Sequence, residues 1–194
     1  MVIYSSFNND KLVQLIKDGG IGVIPTDTIY GLVCSAFDQE AVEKVYEIKG
    51  RDPEKPLIIL ISSVKDLARF SISPNPSKKG FLSSNWPGEV SIVLPSLDQK
   101  FDYLSRGHRS LTFRLPADNK LISLLQKTGP LVAPSANPQG LAPAEDLEEA
   151  MHYFIGQVDF GVDGGTIEGS ASTLVDLSGE IPTVLRQGEV KVEI

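Results

Sequence analysis

Hydrophobic and polar residues repeat along the chain with periods that predict both helices and strands. A first helix is predicted from Asp10 to Lys17, because its apolar residues lie on one face and the pair Gly19-Gly20 follows. Asp38 is a suitable N-cap for a second helix, and Gly50 lies near the end of that helix. The run Pro56–Ile61 has no polar alternation, which indicates a strand that is buried on both faces.

Helices and strands alternate along the rest of the chain as well, until strands predominate near its end. The stretch after Phe70, which is rich in serine, proline and asparagine, is predicted to be a loop. This order predicts a single α/β domain, a sandwich of helices around a mixed sheet. The remaining predicted strands lie at 21–24, 90–94, 111–115, 130–133, 172–177 and 183–186, and the remaining helices at 64–70, 121–127 and 145–154.

The length and composition of the chain agree with one globular domain. A chain of 194 residues with 41% hydrophobic and 22% charged residues can bury a hydrophobic core of its own. Met1 leads within a few residues into the first predicted helix, without a basic and then apolar leader. No apolar run approaches the length of a membrane span. We therefore expect a cytoplasmic protein.

The charge and the single cysteine exclude several classes of function. A formal net charge of -7 disfavours broad, non-specific binding of nucleic acid, although basic residues cluster at 44–55 and 106–114 and could form a local groove. Cys34 excludes an internal disulfide and a thiolate zinc cluster. The histidines that could act with it are His108 and His152, and neither lies in a recognisable motif. Cys34 is therefore predicted to be buried and inert.

Polar clusters follow the predicted strands, and ligands of open α/β sheets collect where strands end. The first cluster places two hydroxyls and a carboxylate, Thr26 to Thr28, directly after a buried strand; its alternative interpretation is a local turn. In the second, Lys49, Arg51 and Lys55 leave a helix and enter the next strand. Cations at a helix C-terminus would explain Lys49, but the full set is typical of a polyphosphate clamp.

Two further clusters lie in the second half of the chain. Ser135 and Asn137 stand two residues apart after a strand, so that in extended chain both point to one side; a plain Asn-Pro turn is equally compatible with the pattern. The segment Asp163–Thr173 combines glycines with hydroxyl residues, and Arg186 lies near the end of an apolar strand. Motifs for a catalytic triad, a zinc site or a poised carboxylate pair are absent from the sequence. These residue types suit a site that binds and orients a phosphorylated ligand.

The same clusters, with the segments between them, resemble the YrdC-like threonylcarbamoyl-AMP synthases over roughly Gly20 to Gly188. The resemblance implies a single YrdC-like domain over 1–194, with a twisted mixed sheet, helices on both faces and a concave, positively lined groove. It also implies that L-threonine, bicarbonate or CO2 and ATP react to threonylcarbamoyl-adenylate and pyrophosphate. The segments that carry it are PTDTIYGL, KGRDPEKPL, WPGEVSIVLP, RLP, APSAN, GGTIEGSAST and LRQG.

The resemblance also implies roles for individual residues, partners and a metal ion. Mg²⁺ would arrive with ATP, and the product would pass to a separate transferase complex that modifies the adenosine beside the anticodon of tRNA. A direct contact with tRNA or double-stranded RNA is left open. L-threonine would be bound by Thr26, Thr28, Arg114 and Ser172, and ATP by Lys49, Arg51, Lys55, Ser110, Ser135, Asn137 and Arg186, with Lys49 and Arg51 as the catalytic residues.

Four positions depart from the pattern that relatives commonly show. Asp52 stands where proline usually follows the arginine, Glu89 replaces another proline, Gln139 replaces a serine, and Leu60 stands where some relatives have histidine. These changes leave open a divergent paralogue with an altered substrate. The sequence is also compatible with an RNA-binding or ribosome-maturation factor of the same fold, and with a carbamoyl-adenylate-forming enzyme of hydrogenase maturation.

Overall fold

The structure is a computed structural model that describes residues 1–193, in which two 3₁₀ helices, Val64–Phe70 and Gln99–Phe101, accompany the regular elements. The strands are β1 (Val2–Tyr4), β2 (Gly22–Ile24), β3 (Gly31–Ser35), β4 (Ile58–Leu60), β5 (Val90–Pro95), β6 (Ser110–Arg114), β7 (Leu131–Val132), β8 (Phe160–Val162), β9 (Thr173–Asp176) and β10 (Thr183–Arg186). The helices are α1 (Asp10–Lys17), α2 (Gln39–Lys49), α3 (Pro76–Asn85), α4 (Asp102–Ser105), α5 (Asn119–Thr128) and α6 (Leu147–Tyr153).

The strands form one sheet in the order β1-β8-β2-β3-β7-β4-β6-β5-β9-β10. The pairs β1–β8, β8–β2, β4–β6 and β5–β9 are parallel and the other neighbours are antiparallel, which confirms the predicted mixed sheet. Strand β3 joins the two halves of the sheet, since Gly31 to Val33 pair with β2 whereas Cys34 and Ser35 pair with β7. An additional bridge between Gly31 and Ser135 extends this contact beyond the strands.

Helices cover both faces of the sheet, as predicted. On one face, α1 and α5 bury Leu12, Ile16 and Leu121 against sheet residues such as Phe160. On the other face, α2 and α6 bury their apolar sides in a larger cluster that includes Cys34, which is fully buried, as the sequence predicts. Burial raises the pKa of the Cys34 thiol, so the residue is unreactive there.

The ends of α2 direct the chain into the second polar cluster. At its N-terminus, the side chain of Asp38 accepts a hydrogen bond from the main-chain N–H of Ala41, which confirms the predicted cap. At its C-terminus, Gly50 adopts a left-handed conformation with φ of 57°, which glycine tolerates better than other residues. This bend separates the helical Lys49 from Arg51, and therefore sends their side chains in different directions.

The prediction of a loop after Phe70 is wrong in part, since α3 occupies Pro76–Asn85. The side chain of Asn75 accepts from the main-chain N–H of Lys78, and Pro76 occupies the first helical turn. A dipeptide that is typical of turns therefore begins a helix here. The prediction also missed β1, β3 and β8; β1 precedes α1, which is thus not the first element of the chain. Within residues 1–193, every helix is too short or too polar to cross a membrane.

Candidate active site

A groove of about 320 Å³ opens where four loops meet at the strand ends. The loops are the turn between β2 and β3, the loop after α2, the segment after β7, and the chain before β9 together with the end of β10. A wider depression of about 1020 Å³ runs alongside α2. It is shallow, and its lining includes carboxylates such as those of Glu43 and Glu47. The groove contains most of the predicted site residues: Thr26, Thr28, Arg51, Arg114, Ser135, Asn137, Ser172 and Arg186.

Thr26 and Thr28 both line this groove, and both residues are buried. Thr26 Oγ1 donates to the carbonyl of Ile29 at 2.6 Å and accepts from the main-chain N–H groups of Thr28 and Ile29. The two hydroxyl oxygens are 3.0 Å apart. The local turn considered for this motif is therefore present, and it also holds both hydroxyls at the groove.

Arg114 crosses the floor of the groove and forms a buried ion pair with Asp27. Its Nη2 is 2.7 Å from Asp27 Oδ1, its Nη1 donates to Thr28 Oγ1 at 2.7 Å, and the two side chains are 4% and 11% exposed. Asp27 also accepts from the main-chain N–H of Ala117. Burial lowers the pKa of Arg114, and the carboxylate of Asp27 opposes that shift. The ion pair therefore fixes Arg114, which in turn holds the hydroxyl of Thr28 in place through its hydrogen bond.

Arg51 and Arg186 both line the groove, and neither is in an ion pair within residues 1–193. Arg51 donates from Nε to the carbonyl of Lys55 and from Nη2 to that of Pro56, whereas Arg186 donates from Nε and Nη2 to the carbonyl of Ser172. Among residues 1–193, neither arginine has an acidic side chain within 4 Å. Burial lowers the pKa of both groups, and the charge of Arg51 lowers that of Arg186 further. The charge of Asp52 acts on Arg51 from more than 4 Å away, so neither arginine is held in an ion pair and both side chains are suited to an anion.

Lys49 lies behind the groove rather than in its wall, and its side chain is directed at the loop after β7. Its Nζ donates to the carbonyls of Ser135 and Asn137 and to Asn137 Oδ1, at 2.6, 2.5 and 3.0 Å. The residue is 2% exposed, and burial together with the charge of Arg51 lowers its pKa to about 8. Lys49 therefore connects the end of α2 to the loop after β7, the two segments that are predicted to bind the nucleotide.

The remaining predicted ATP contacts, Lys55 and Ser110, are not among the residues that line the groove. Lys55 extends into solvent beside Asp52, with 3.9 Å between the charged atoms. Ser110 begins β6 and pairs with Pro95 at the end of β5. Ligand contacts by these two residues stay predictions.

Titration of Lys49 is expected to weaken ATP binding as the pH rises. Because burial and the charge of Arg51 lower the pKa of the Lys49 ammonium group to about 8, the neighbourhood of Arg51 loses a positive charge above that pH. An anion favours the protonated form, so the affinity for ATP falls by at most roughly tenfold per pH unit. Isothermal titration calorimetry from about pH 7 to about pH 9 measures this change. A Lys49→Ala variant should lose the dependence; an affinity that stays constant in the wild-type protein would contradict the role of Lys49.

Tyr30 lines the groove as well, and sequence reasoning did not single it out although it lies inside the first motif. Its hydroxyl accepts from the main-chain N–H of Gly164 at 3.0 Å and donates to the carbonyl of Gly165 at 2.7 Å. Further along the same glycine-rich loop, a side chain at Gly169 would lie 2.1 Å from the carbonyl of Thr28. Glycine is needed there because the two loops approach so closely. The position of a tyrosine within the motif was the signal that could have found it.

Fold and site together define an α/β domain with a groove at its strand ends that is lined by arginines and hydroxyl side chains. The chain belongs to the Sua5/YciO/YrdC family, since the family model described as "Telomere recombination" matches residues 14–188. This finding confirms the resemblance that the sequence motifs indicate.

Several known proteins are similar to the chain over nearly its whole length. The threonylcarbamoyl-AMP synthase of Bacillus subtilis (strain 168) is 32% identical over 97% of this chain, which covers 56% of that protein. The structure of Sua5 from P. abyssi complexed with L-threonine matches 97% of this chain and 58% of its own, with a TM-score of 0.89 and 28% identity. The chain therefore spans a little more than half the length of these two relatives.

A third protein of known structure is similar to this chain over almost the full length of both proteins. YciO of E. coli matches with a TM-score of 0.86 and covers 99% of this chain and 97% of its own. At 24% identity, this likeness shows the fold alone. It confirms the predicted single-domain α/β architecture.

Proposed function

We propose that the protein is a threonylcarbamoyl-AMP synthase that forms threonylcarbamoyl-adenylate and pyrophosphate from L-threonine, bicarbonate or CO2 and ATP. The observation that carries this proposal is that one groove is lined by two arginines and by buried hydroxyl side chains. The arginines, Arg51 and Arg186, have no acidic side chain within 4 Å among residues 1–193. The cations suit a polyphosphate and the hydroxyls suit a small zwitterion. The relatives that carry this enzyme name support the same assignment.

ATP is assigned to the cationic side of the groove. Arg51 and Arg186 would bind its phosphates, and Ser135 and Asn137 would contact the nucleotide, while Lys49 holds the loop that carries both. Mg²⁺ would enter as the ion carried by ATP. Residues 1–193 contain no group of three or more His, Cys, Asp or Glu side chains arranged for a metal, and an ion held by phosphates requires none.

L-threonine is assigned to the end of the groove that contains Thr26, Thr28 and Ser172. Arg114 lines the groove there and would attract the carboxylate of the amino acid, with Asp27 paired to its Nη2 and Thr28 Oγ1 accepting from its Nη1. The hydroxyl of Ser172 is hydrogen-bonded to that of Ser91 at 2.8 Å, which limits its orientation. This arrangement presents hydroxyl partners to a substrate that carries a hydroxyl group itself.

The proposed reaction depends on positioning and on neutralisation of charge. The unprotonated amine of threonine forms a C–N bond with CO2 and releases a proton to solvent, which gives a carbamate. A carbamate oxygen then forms a bond to the α-phosphorus of ATP, and the bond to the leaving pyrophosphate breaks. Arg51 and Arg186 would neutralise the charge that develops on the phosphates. The amine of threonine is itself the nucleophile, and its proton passes to solvent. No side chain is therefore assigned as a general base.

The product would be consumed outside this chain. Threonylcarbamoyl-adenylate is an activated acyl donor, so a separate transferase complex in the cytoplasm would move its threonylcarbamoyl group to the adenosine of tRNA. A direct contact between tRNA or double-stranded RNA and this chain is not required by the proposed chemistry.

Incubation with ATP, bicarbonate and single amino acids tests the proposal by mass spectrometry of the adenylate. Threonine is expected to give the acyl-adenylate. 2-Aminobutyrate, which lacks the hydroxyl, is expected to be rejected by roughly 10⁴-fold or more in kcat/KM, because it leaves buried polar groups unpaired. Serine, which lacks only the methyl group, should be rejected by about 10- to 200-fold. Equal rates with threonine and 2-aminobutyrate, or no adenylate with threonine, would contradict the proposal.

A further inference from the structure

The loop that carries Arg51 is held on both sides by one residue of the neighbouring loop. The main-chain N–H of Gln139 donates to the carbonyl of Lys49 at 2.8 Å. The side-chain Oε1 of Gln139 accepts from the main-chain N–H of Asp52 at 2.9 Å. Gln139 therefore binds the chain immediately before and immediately after Gly50 and Arg51.

Asp52 and Gln139 supply the two halves of the side-chain contact. Asp52 supplies a main-chain N–H, which a proline at the same position would lack. Gln139 supplies a side chain long enough to reach that N–H. A change that removes either half removes the same hydrogen bond.

We propose that Gln139 is a positioning residue that orients Arg51 for the polyphosphate of ATP. The inference rests on the proposed function and adds to it a residue that does not line the groove. Arg51 already donates to the carbonyls of Lys55 and Pro56, on the far side of its own loop. With Gln139 on the near side, the loop of Arg51 is fixed from two directions, and Arg51 itself lines the groove.

The position of Gln139 allows a test that leaves the core intact. Its side chain is exposed, and its main-chain bond to Lys49 does not depend on the side chain. Asp52 offers a matched pair of variants, because Asp52→Asn keeps the main-chain N–H whereas Asp52→Pro removes it. Since Asp52 Oδ1 also accepts from the main-chain N–H of Glu54, asparagine preserves this local turn as well.

The experiment measures steady-state kinetics of threonine-dependent pyrophosphate release. Gln139→Ala and Asp52→Pro are each expected to raise the KM for ATP by about three- to tenfold, the effect of one lost hydrogen bond. The KM for L-threonine should stay within about twofold, because the contact serves only the nucleotide side. Asp52→Asn keeps the main-chain N–H and removes a negative charge near Arg51, so it should not raise the KM for ATP. The double variant Asp52→Pro/Gln139→Ala should be no worse than the poorer single variant, since both remove the same bond.

The outcomes separate this inference from the proposed function. If the wild-type protein forms the adenylate and the KM for ATP is unchanged in Gln139→Ala, the positioning role is wrong and the enzyme assignment stands. Additive effects in the double variant, or equal rises in both KM values, would also overturn it. If the wild-type protein releases no pyrophosphate with threonine, the proposed function itself is wrong. Thermal denaturation of each variant shows whether the fold is retained, and an unchanged midpoint with the split in KM supports the inference.

Discussion

Replacing Lys49 with alanine is expected to reduce threonine-dependent pyrophosphate release by about 100-fold or more, comparable to the loss of a donor from an oxyanion site. The ammonium group binds the carbonyls of Ser135 and Asn137 and the Asn137 side chain, so its removal leaves buried acceptors without a donor. The loop after β7 would then lose its position relative to Arg51. The cationic side of the groove would also lose one charge.

Lys44→Ala is the matched control, because Lys44 is an exposed lysine on the same helix. It should keep activity within about twofold of wild type, as exposed substitutions away from contacts usually do. Circular dichroism should show a folded Lys49→Ala protein, since the ammonium group bonds to Ser135 and Asn137, which lie outside both hydrophobic clusters. Near-normal turnover by a folded Lys49→Ala protein would count heavily against the proposed site.

Replacing Arg114 with leucine is expected to lower the free energy of unfolding by about 3 to 5 kcal/mol, the cost of leaving a buried charge unpaired. The charge in question is that of Asp27, which is 11% exposed and 2.7 Å from the arginine. Thr28 would lose the donor to its hydroxyl at the same time. Urea denaturation of the two proteins measures the difference.

A double variant distinguishes the ion pair from a loss of packing. Asp27→Asn in the Arg114→Leu background removes the unpaired carboxylate and should recover part of the lost stability. The amide can still accept a hydrogen bond from the main-chain N–H of Ala117. If the double variant is as unstable as Arg114→Leu, the effect comes from packing at the floor of the groove and the buried charge is not its cause.

Helices and strands in which apolar residues recur with a clear period could be predicted from the sequence. The helix α1 follows the predicted bounds, and α2 has the predicted cap at Asp38, because local periodicity and capping residues are encoded within a few positions. The strands β1 and β8 could not be predicted in the same way. Each is three residues long, and they form by pairing with each other across almost the whole chain.

The same distinction applies to the candidate site. The types of residue at the site could be predicted from the motifs, and most of the predicted site residues line one groove. The direction of a side chain could not be read, as Lys49 illustrates. It belongs to a motif that indicates a phosphate clamp, yet its ammonium group is directed at carbonyls of a loop that follows more than eighty positions later.

The sequence by itself determined the α/β class, the principal helices, the inert cysteine and the set of cations and hydroxyls available for chemistry. These properties depend on composition and on contacts between neighbours in the chain. Only the tertiary structure decided that Arg51 and Arg186 share one groove, that Asp27 pairs with Arg114, and that Gln139 is hydrogen-bonded to the loop of Arg51. Such contacts join distant segments, and their geometry depends on sheet order and loop position, which no local pattern specifies.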